Sequence, residues 1–338
     1  MKYLARRFGF YLLAFWVAVT LNFLLPRLEP GNPLQYLQIR YQAQLQQNPH
    51  LLDPLKPVFD TQHGNILIQY VQYLVNLAHL NFGVSFSQYP ASVNTIIASA
   101  LPWSLFLAGS SAILAFLLGT TLGVVVAWWR GKPFDLTVTP LTMFTQSFPA
   151  FFGAMLILYF VGVEAGWFPL NHAYDYGVQP GPYIFGLPWS WNFITSVFSH
   201  AAMPVAALLI SSLGGWLLGM RSVMINTLSE DYVTMAEAKG LSTLRVMFMY
   251  AARNALLPQV TSLAITLGYA LTSLVLIETV FSYPGLGYQL VNAVLARDYP
   301  LMQALFFIIA VAMLIANLIA DLTYSLLDPR VGVRSGAR

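Results

Sequence analysis

A serine pair and one histidine are the residues of this chain whose types suggest reactive chemistry. Ser110 and Ser111 lie in one apolar stretch and His200 borders another, which is the pairing that a histidine-activated serine nucleophile needs. Small hydroxyl groups are also ordinary contacts between packed membrane helices. The second reading is favoured, and we predict no catalytic residue in this chain.

The sequence lacks the residue patterns that are typical of metal binding and of nucleotide binding. The five histidines do not form a metal-ligand spacing, and the absence of cysteine excludes disulfides, thiolate metal sites and cysteine nucleophiles. The sequence contains no G-x-x-x-x-G-K-S/T loop, so it cannot bind ATP in that way. We therefore expect no metal and no cofactor in this chain, and a protein that is not an enzyme.

Three acidic residues lie close to apolar stretches. Glu164 and Glu278 are predicted at the outer ends of their spans, and Asp321 near the inner end of the last one. Acidic residues inside a membrane are functional candidates by default. Solvation at an interface is the favoured explanation for these three.

The elements that must position these residues are apolar spans. Hydrophobic residues make up 57% of the chain, charged residues 9%, and the mean hydropathy is +0.64, whereas soluble domains carry about 25% charged residues. A helix crosses a bilayer with about 20 apolar residues. The sequence predicts an all-α integral membrane protein with six transmembrane helices, at about Phe8–Leu25, Leu101–Trp128, Leu136–Val163, Ala201–Met224, Gln259–Val280 and Leu301–Leu327.

The distribution of Lys and Arg predicts the orientation of these spans. Of the 16 Lys and Arg residues, all but four lie in the N-terminal segment, the loop at Arg130, the segment Arg221–Arg253 and the C-terminal tail. Because basic residues favour the cytoplasmic side, both termini are predicted to be cytoplasmic. The predicted division is a first transmembrane helix at 1–27, an external insert at 28–94, a five-helix core at 95–330 with a cytoplasmic loop at 229–257, and a cytoplasmic tail at 331–338.

The stretch Tyr232–Pro258 differs from the rest of the chain, because it is charged, small and polar. Asp231–Lys239 can form a short helix, Gly240 can adopt the left-handed conformation that ends one, and Ser242 can cap the next. From Leu244, apolar or small residues recur at helical spacing, at Met247, Phe248, Ala251, Ala252 and Ala255. This helix, turn and helix fits either insertion into a cytoplasmic partner or a linker lying on anionic headgroups.

The sequence "DYVTMAEAKGL" at Asp231–Leu241, followed by "RNALLP" at Arg253–Pro258, resembles the cytoplasmic coupling loop of ABC importer permeases. More narrowly, the chain resembles the dipeptide, oligopeptide and nickel permease family. A weaker match is Pro30–Pro33, and further motifs in the same order are His200–Pro204, Glu278–Gly287, Arg297–Pro300, Asn317–Asp321 and Tyr324–Arg330. The order and spacing of these motifs together make the resemblance specific.

The resemblance implies that the cytoplasmic loop couples the chain to an ATPase. Gly240 would make the turn, and Ala236 and Ala238 would permit close approach. The residues that the resemblance assigns to coupling are Asp231, Tyr232, Ala236, Glu237, Ala238, Lys239 and Gly240.

The resemblance also implies the partners and the location. Family members pair with a second, similar permease subunit, two cytoplasmic ATPase subunits that bind ATP and Mg, and an external substrate-binding protein. We therefore expect these partners, contact with membrane lipid, no nucleic acid, and a location in the plasma membrane of a prokaryote.

The spans carry almost no charge away from their ends, which predicts a permeation path lined by uncharged polar groups. Candidate lining residues are Gln146, Ser147, Ser211, Ser212, Thr266 and Tyr269. Weak polar contacts let neutral or zwitterionic cargoes pass, which suits peptides. Oligosaccharides, and less readily nickel chelates, are alternative cargoes, and a stand-alone secondary transporter is the alternative from a different class.

Overall fold

The computed structural model describes residues 2–28, 38–39, 41–50, 65–178, 183–184, 187–188 and 190–327. Most of these residues are helical. The helices are α1 (Lys2–Leu28), α2 (Gln42–Gln47), α3 (Ile66–Ala78), α4 (Val93–Trp128), α5 (Pro133–Ser147), α6 (Ala150–Ile157), α7 (Trp191–Leu228), α8 (Asp231–Ala238), α9 (Thr243–Arg245), α10 (Arg253–Val280), α11 (Leu286–Leu295) and α12 (Tyr299–Leu327). Two π-helical segments, Leu158–Glu164 and Val246–Ala252, adjoin α6 and α10, and the short strands β1 (Tyr183–Ile184) and β2 (Leu187–Pro188) pair antiparallel.

Two helices within the described part of the chain are long and apolar enough to cross a membrane. They are α4, with 36 residues, and α7, with 38 residues. At 1.5 Å per residue, α4 is about 54 Å long, which exceeds the roughly 30 Å hydrocarbon core of a bilayer. Shorter apolar helices at Phe8–Leu24 and Tyr299–Ile315 lie where the first and sixth spans are predicted. The count of six spans stays a prediction.

The third predicted span, Leu136–Val163, is not one straight helix. Helix α5 and the helical segment Ala150–Glu164 are bent by 99° relative to each other. Each alone is too short to cross a bilayer. Phe148 between them is extended, with φ −83° and ψ 136°. The ring of Pro149 disfavours a helical conformation for the residue before it. The predicted span therefore contains a break at Phe148 and Pro149.

The chain divides into two compact units. One comprises Met1–Pro102 and Tyr288–Leu314, and the other comprises Trp103–Gly287 and Ile315–Arg338. The described part of the predicted insert, 28–94, belongs to the first unit together with α1. Residues 29–37, 40 and 51–64 of that insert, and the predicted tail 331–338, lie outside the described residues.

Asp298 organises one end of the first unit. Its side chain is buried, and one carboxylate oxygen accepts hydrogen bonds from the Ser85 hydroxyl, from the Ser87 amide at 2.8 Å and from the Ser87 hydroxyl at 2.7 Å. The other oxygen accepts from the Leu301 amide at 3.2 Å, which caps the start of α12. Asp298 thus fixes the segment between α3 and α4 to the start of α12.

Two glycines allow α4 and α7 to pack closely in the second unit. A Cβ atom at Gly119 would lie 2.5 Å from the Trp216 Cβ, and one at Gly123 would lie 2.7 Å from the Met220 Cβ. Such contacts are shorter than any side chain tolerates, so both positions need glycine for this approach. The Gly119-x-x-x-Gly123 spacing by itself predicts that another helix can approach closely, and the structure confirms this prediction.

An apolar core joins α4, α6, α7 and α10 in the second unit. Its buried members are Leu107, Ala108, Ala154, Ala173, Ala201, Met203, Ala207, Leu208, Leu274, Ile277, Phe281 and Tyr283. The core fixes the relative positions of α7 and α10, which carry the candidate path residues Ser211, Ser212 and Thr266.

Candidate functional site

Helix α8 and the turn that ends it form the centre of the candidate site. Asp231 lies in the first turn, where a negative charge interacts favourably with the helix dipole. Gly240 adopts φ +72°. Its amide donates to the Glu237 carbonyl at 2.9 Å, and the Leu241 amide donates to the Ala236 carbonyl at 3.4 Å. This pair of bonds is the Schellman motif, so the predicted short helix and its glycine turn are confirmed as local structure.

The inner face of α8 packs on the chain itself. Val233 and Ala236 are buried in a group that we term the loop cluster, whose buried members are Val124, Ala127, Met220, Met224, Val233, Ala236, Val246, Met247, Ala251, Ala252 and Ala255. Two of these residues come from the end of α4 and two from the end of α7. Displacement of α8 would therefore act directly on both long helices.

Ala236 and Ala238 lie in different surroundings. The resemblance assigns both to close approach of a partner, but Ala236 is buried inside the loop cluster. Ala238 is exposed. Only Ala238 is thus a small residue on the accessible side of the helix.

The outer face of α8 combines charged and large apolar side chains. Its exposed members are Asp231, Tyr232, Thr234, Met235, Glu237, Ala238 and the adjoining Lys239. Met235 is 60% exposed, and Leu244 and Met249 after the turn are also largely exposed. Neighbouring large apolar side chains rimmed by charges are typical of a protein docking surface.

The segment after the turn buries a different set of residues from the predicted one. Val246, Met247, Ala251 and Ala252 are buried, whereas Phe248 is 39% exposed. The segment Val246–Ala252 is π-helical, and its bonds join residues five apart, which changes which side chains share a face. The predicted apolar face was therefore wrong at Phe248.

A buried ion pair attaches α5 to α7 near the loop cluster. The Arg221 guanidinium donates two bonds to the Asp135 carboxylate, at 2.9 Å from Nε to Oδ1 and 2.8 Å from the terminal nitrogen to Oδ2. The same carboxylate accepts from the Gly131 amide at 2.9 Å and from the Thr139 hydroxyl at 2.8 Å. Sequence reasoning missed this pair, although a single acid and a single base at the ends of apolar helices are a signal of pairing.

The hydroxyl groups predicted to line a path donate to carbonyls of their own helices. Ser147 donates to Met143 at 2.8 Å. Ser211 and Ser212 both donate to Leu208, at 2.9 and 2.7 Å, and Thr266 donates to Ser262 at 2.9 Å. Such bonds leave the oxygen able to accept a further hydrogen bond. These side chains can therefore offer acceptors to a passing cargo, while the side chain of Tyr269 lies outside the described residues.

Gln146 is brought against α7. A Cβ atom at Gly214 would lie 2.9 Å from the Gln146 Oε1, and one at Gly215 would lie 3.6 Å from its Nε2. Ser211 is three residues before Gly214, so it lies on the same side of the helix. Gln146 and Ser211 thus share one region.

A second carboxylate network lies at the C-terminal end of α10. Glu278 is fully buried, and it accepts hydrogen bonds from the Ser104 hydroxyl at 2.6 Å and from the Gly287 amide at 2.7 Å. The Ser104 oxygen in turn accepts from the Leu286 amide at 2.7 Å. The favoured solvation of Glu278 at an interface was therefore wrong. Burial, and secondarily the Glu278 carboxylate, raises the pKa of the adjacent Tyr283 hydroxyl.

The serine pair and His200 are engaged elsewhere. Ser110 and Ser111 each donate to a carbonyl of their own helix at 2.6 Å. His200 Nδ1 lies 2.8 Å from the Ser196 carbonyl, and its Nε2 lies 3.7 Å from the Asp175 carboxylate. Across the described residues there is no group of three or more His, Asp or Glu side chains that could hold a metal ion.

Comparison with known proteins adds an independent observation. Residues 119–333 match the family described as binding-protein-dependent transport system inner membrane component. The chain is 31% identical over 341 residues to the di/tripeptide transport system permease protein DppB of Pseudomonas aeruginosa, with 98% of each chain covered. It is 30% identical over 334 residues to the oligopeptide transport system permease protein OppB of Haemophilus influenzae, with 98% and 99% covered.

Proposed function

Because the chain belongs to the family of binding-protein-dependent transport system inner membrane components, and within it to the dipeptide and oligopeptide permeases, we propose that it forms half of the path through which an ATP-driven importer moves peptides. A second, similar permease subunit would form the other half. Two cytoplasmic ATPase subunits would bind ATP and Mg, and an external binding protein would deliver the cargo. The location would be the plasma membrane of a prokaryote, with both termini in the cytoplasm.

The observation that carries this proposal is that α8 is buried on one face and exposed on the other. Its outer face exposes Tyr232, Met235 and Glu237, while its inner face packs on the ends of α4 and α7 in the loop cluster. A surface exposed on one side and attached to two long helices on the other is suited to pass motion from a docked partner to those helices. This arrangement supports the role of α8 as the coupling helix.

The peptide cargo rests on the relatives and on the polarity of the candidate path. The similar proteins of Pseudomonas aeruginosa and Haemophilus influenzae are named for di/tripeptide and oligopeptide transport. Gln146 and Ser211 offer uncharged amide and hydroxyl groups near the α7 glycines. Such groups can bond to peptide amides of any sequence without holding a charged cargo tightly.

Substitution of Gly240 tests the coupling role. At φ +72° a residue with a Cβ atom costs about 1–2 kcal/mol, and a β-branched residue tolerates this conformation worst. Gly240→Val should therefore distort the turn and misplace α8. In vesicles containing the whole importer, we expect peptide uptake to fall while ATP hydrolysis continues without it, or the ATPase subunits to leave the membrane.

Two matched variants separate coupling from general strain. Asn adopts positive φ more readily than other residues with side chains, so Gly240→Asn should keep most of the uptake. Gly166 has φ +63° and, like Gly240, has nothing within 4 Å of an added Cβ, but it lies outside the coupling loop. Gly166→Val should leave the ratio of uptake to ATP hydrolysis unchanged. Normal uptake by Gly240→Val at normal expression would refute the assignment.

A further inference from the structure

Helix α3 presents three distinct faces and contains no charged residue. The face that packs on the rest of its unit consists of Tyr70, Tyr73, Leu74 and Leu77. A polar face carries Gln69, Gln72 and Asn76. The third face is apolar, and its side chains are between 50% and 69% exposed; they are Leu67, Ile68, Val71 and Val75. The packed side of α3 contacts the protein and its polar side suits water, whereas its exposed apolar side needs an apolar environment.

Helix α3 is fixed to the end of α1 by specific contacts. The Thr20 hydroxyl lies 2.7 Å from the Tyr70 hydroxyl, and the Asn22 amide donates to the Tyr73 hydroxyl at 3.2 Å. The Phe23 ring lies between the two tyrosines, with centroid distances of 5.1 and 5.5 Å. All these contacts fall in the last three turns of α1, so α3 is held at a defined position along that helix.

The same part of α1 is apolar and exposed. Leu21 is 53% exposed and Leu24 is 36% exposed, and both belong to the predicted first span. Just beyond them, the Arg27 guanidinium lies 3.6 Å above the Phe23 ring and donates to the Gln69 side chain at 3.1 Å. An arginine whose stem follows an apolar surface and whose head meets polar groups is typical of a membrane boundary. Two helices that contact each other beside this boundary, α1 and α3, thus both carry exposed apolar side chains.

We propose that α3 lies in the outer leaflet of the bilayer, with Leu67, Val71 and Val75 against lipid acyl chains and with Gln72 and Asn76 facing headgroups and water. The predicted insert is then anchored in the membrane surface rather than wholly external. Apolar helices of 10–14 residues suit an interfacial position. A binding protein that docks and leaves in each cycle would return this apolar face to water, whereas lipid covers it permanently. The proposal rests on membrane location and orientation, and not on the identity of the cargo.

The absence of cysteine from the chain makes a direct test possible. Val71→Cys and Gln72→Cys place single thiols about 100° apart around the helix. Each variant, within the whole importer, is spin-labelled and reconstituted into phosphatidylethanolamine and phosphatidylglycerol vesicles. Collision rates of the label are then measured with oxygen, which concentrates in lipid, and with a water-soluble nickel chelate.

The expected result is a severalfold higher ratio of oxygen to nickel collisions at position 71 than at position 72. Val75→Cys, one turn further along the same face, should give the same ratio as position 71. It provides a second measurement if Val71→Cys does not fold. Leu117→Cys, on an exposed apolar position of α4, provides the lipid-facing reference. Nickel access at positions 71 and 75 equal to that at 72 would overturn the proposal. Shielding of both positions from both reagents would also overturn it, because a protein would then cover the face.

Discussion

The ion pair between Asp135 and Arg221 allows the attachment of α5 to α7 to be measured. The Asp135 side chain is 5% exposed and the Arg221 side chain is 24% exposed. Arg221→Met removes two of the four donors to the carboxylate and its counter-charge. Removing one partner of a buried ion pair costs about 3–5 kcal/mol. Because water can reach part of the arginine site, we expect Arg221→Met to lower the free energy of unfolding by about 3 kcal/mol, at the lower end of that range.

Replacing both partners should cost much less than the sum of the single changes. Arg221→Met combined with Asp135→Leu leaves no unpaired charge, and the exposed Gly131 amide can bond to water instead. We expect a coupling free energy of about 2 kcal/mol between the two sites. The stability of Arg221→Lys should lie between that of the wild type and that of Arg221→Met, because an ammonium group cannot form the two parallel bonds of a guanidinium.

Native-state proteolysis in detergent micelles measures these differences. When local opening is fast relative to cleavage, the cleavage rate follows the population of the open form. A loss of 3 kcal/mol therefore raises the cleavage rate about 150-fold. Arg130→Met, at an exposed arginine in the loop before α5, is the control and should have little effect. The reasoning would be refuted if the free-energy losses of Arg221→Met and Asp135→Leu were strictly additive. It would also be refuted if Arg221→Met were cleaved at the same rate as the control.

Four further substitutions test the Glu278 network and the candidate path. Glu278→Gln keeps the shape and an acceptor for the Gly287 amide and should cost about 1 kcal/mol, whereas Glu278→Ala leaves that amide unbonded and should cost about 3 kcal/mol. Thermal inactivation of uptake measures both, and equal losses would contradict the described network. Gln146→Ala and Ser211→Ala should each lower uptake of several peptides by about two- to tenfold, because each removes one weak polar contact. Complete loss for one peptide alone would instead reveal a specific binding site in the path.

The features that the sequence predicted correctly depend on local chemistry. Gly240 ends α8 because only glycine adopts the left-handed turn without strain, and this preference is visible in one residue. The same holds for Gly119 and Gly123, whose spacing places both on one side of α4. Length and composition alone were enough to locate α4 and α7.

The features that sequence reasoning missed either depend on residues of another helix or have only a weak signal in the local sequence. Glu278 is buried because Ser104 and the Gly287 amide surround it, and Ser104 lies on a different helix. The π-helical segment at Val246–Ala252 changes which side chains share a helical face, and no distinctive residue in the sequence predicts it. The break at Pro149 did carry a local signal, since proline restricts the preceding residue, but the apolar composition on both sides concealed it.

Three attachments join α8 to the helices that carry Gln146 and Ser211. The loop cluster links α8 to the ends of α4 and α7. Gly119 and Gly123 hold α4 against α7, and the Asp135–Arg221 pair holds α5 against α7. Gln146 on α5 and Ser211 on α7 are therefore carried by helices that are fixed to one another. Because close-packed contacts and a four-donor carboxylate resist gradual deformation, these helices should move together when α8 moves. A docked partner that displaces α8 would then shift the path residues as a group rather than one side chain at a time.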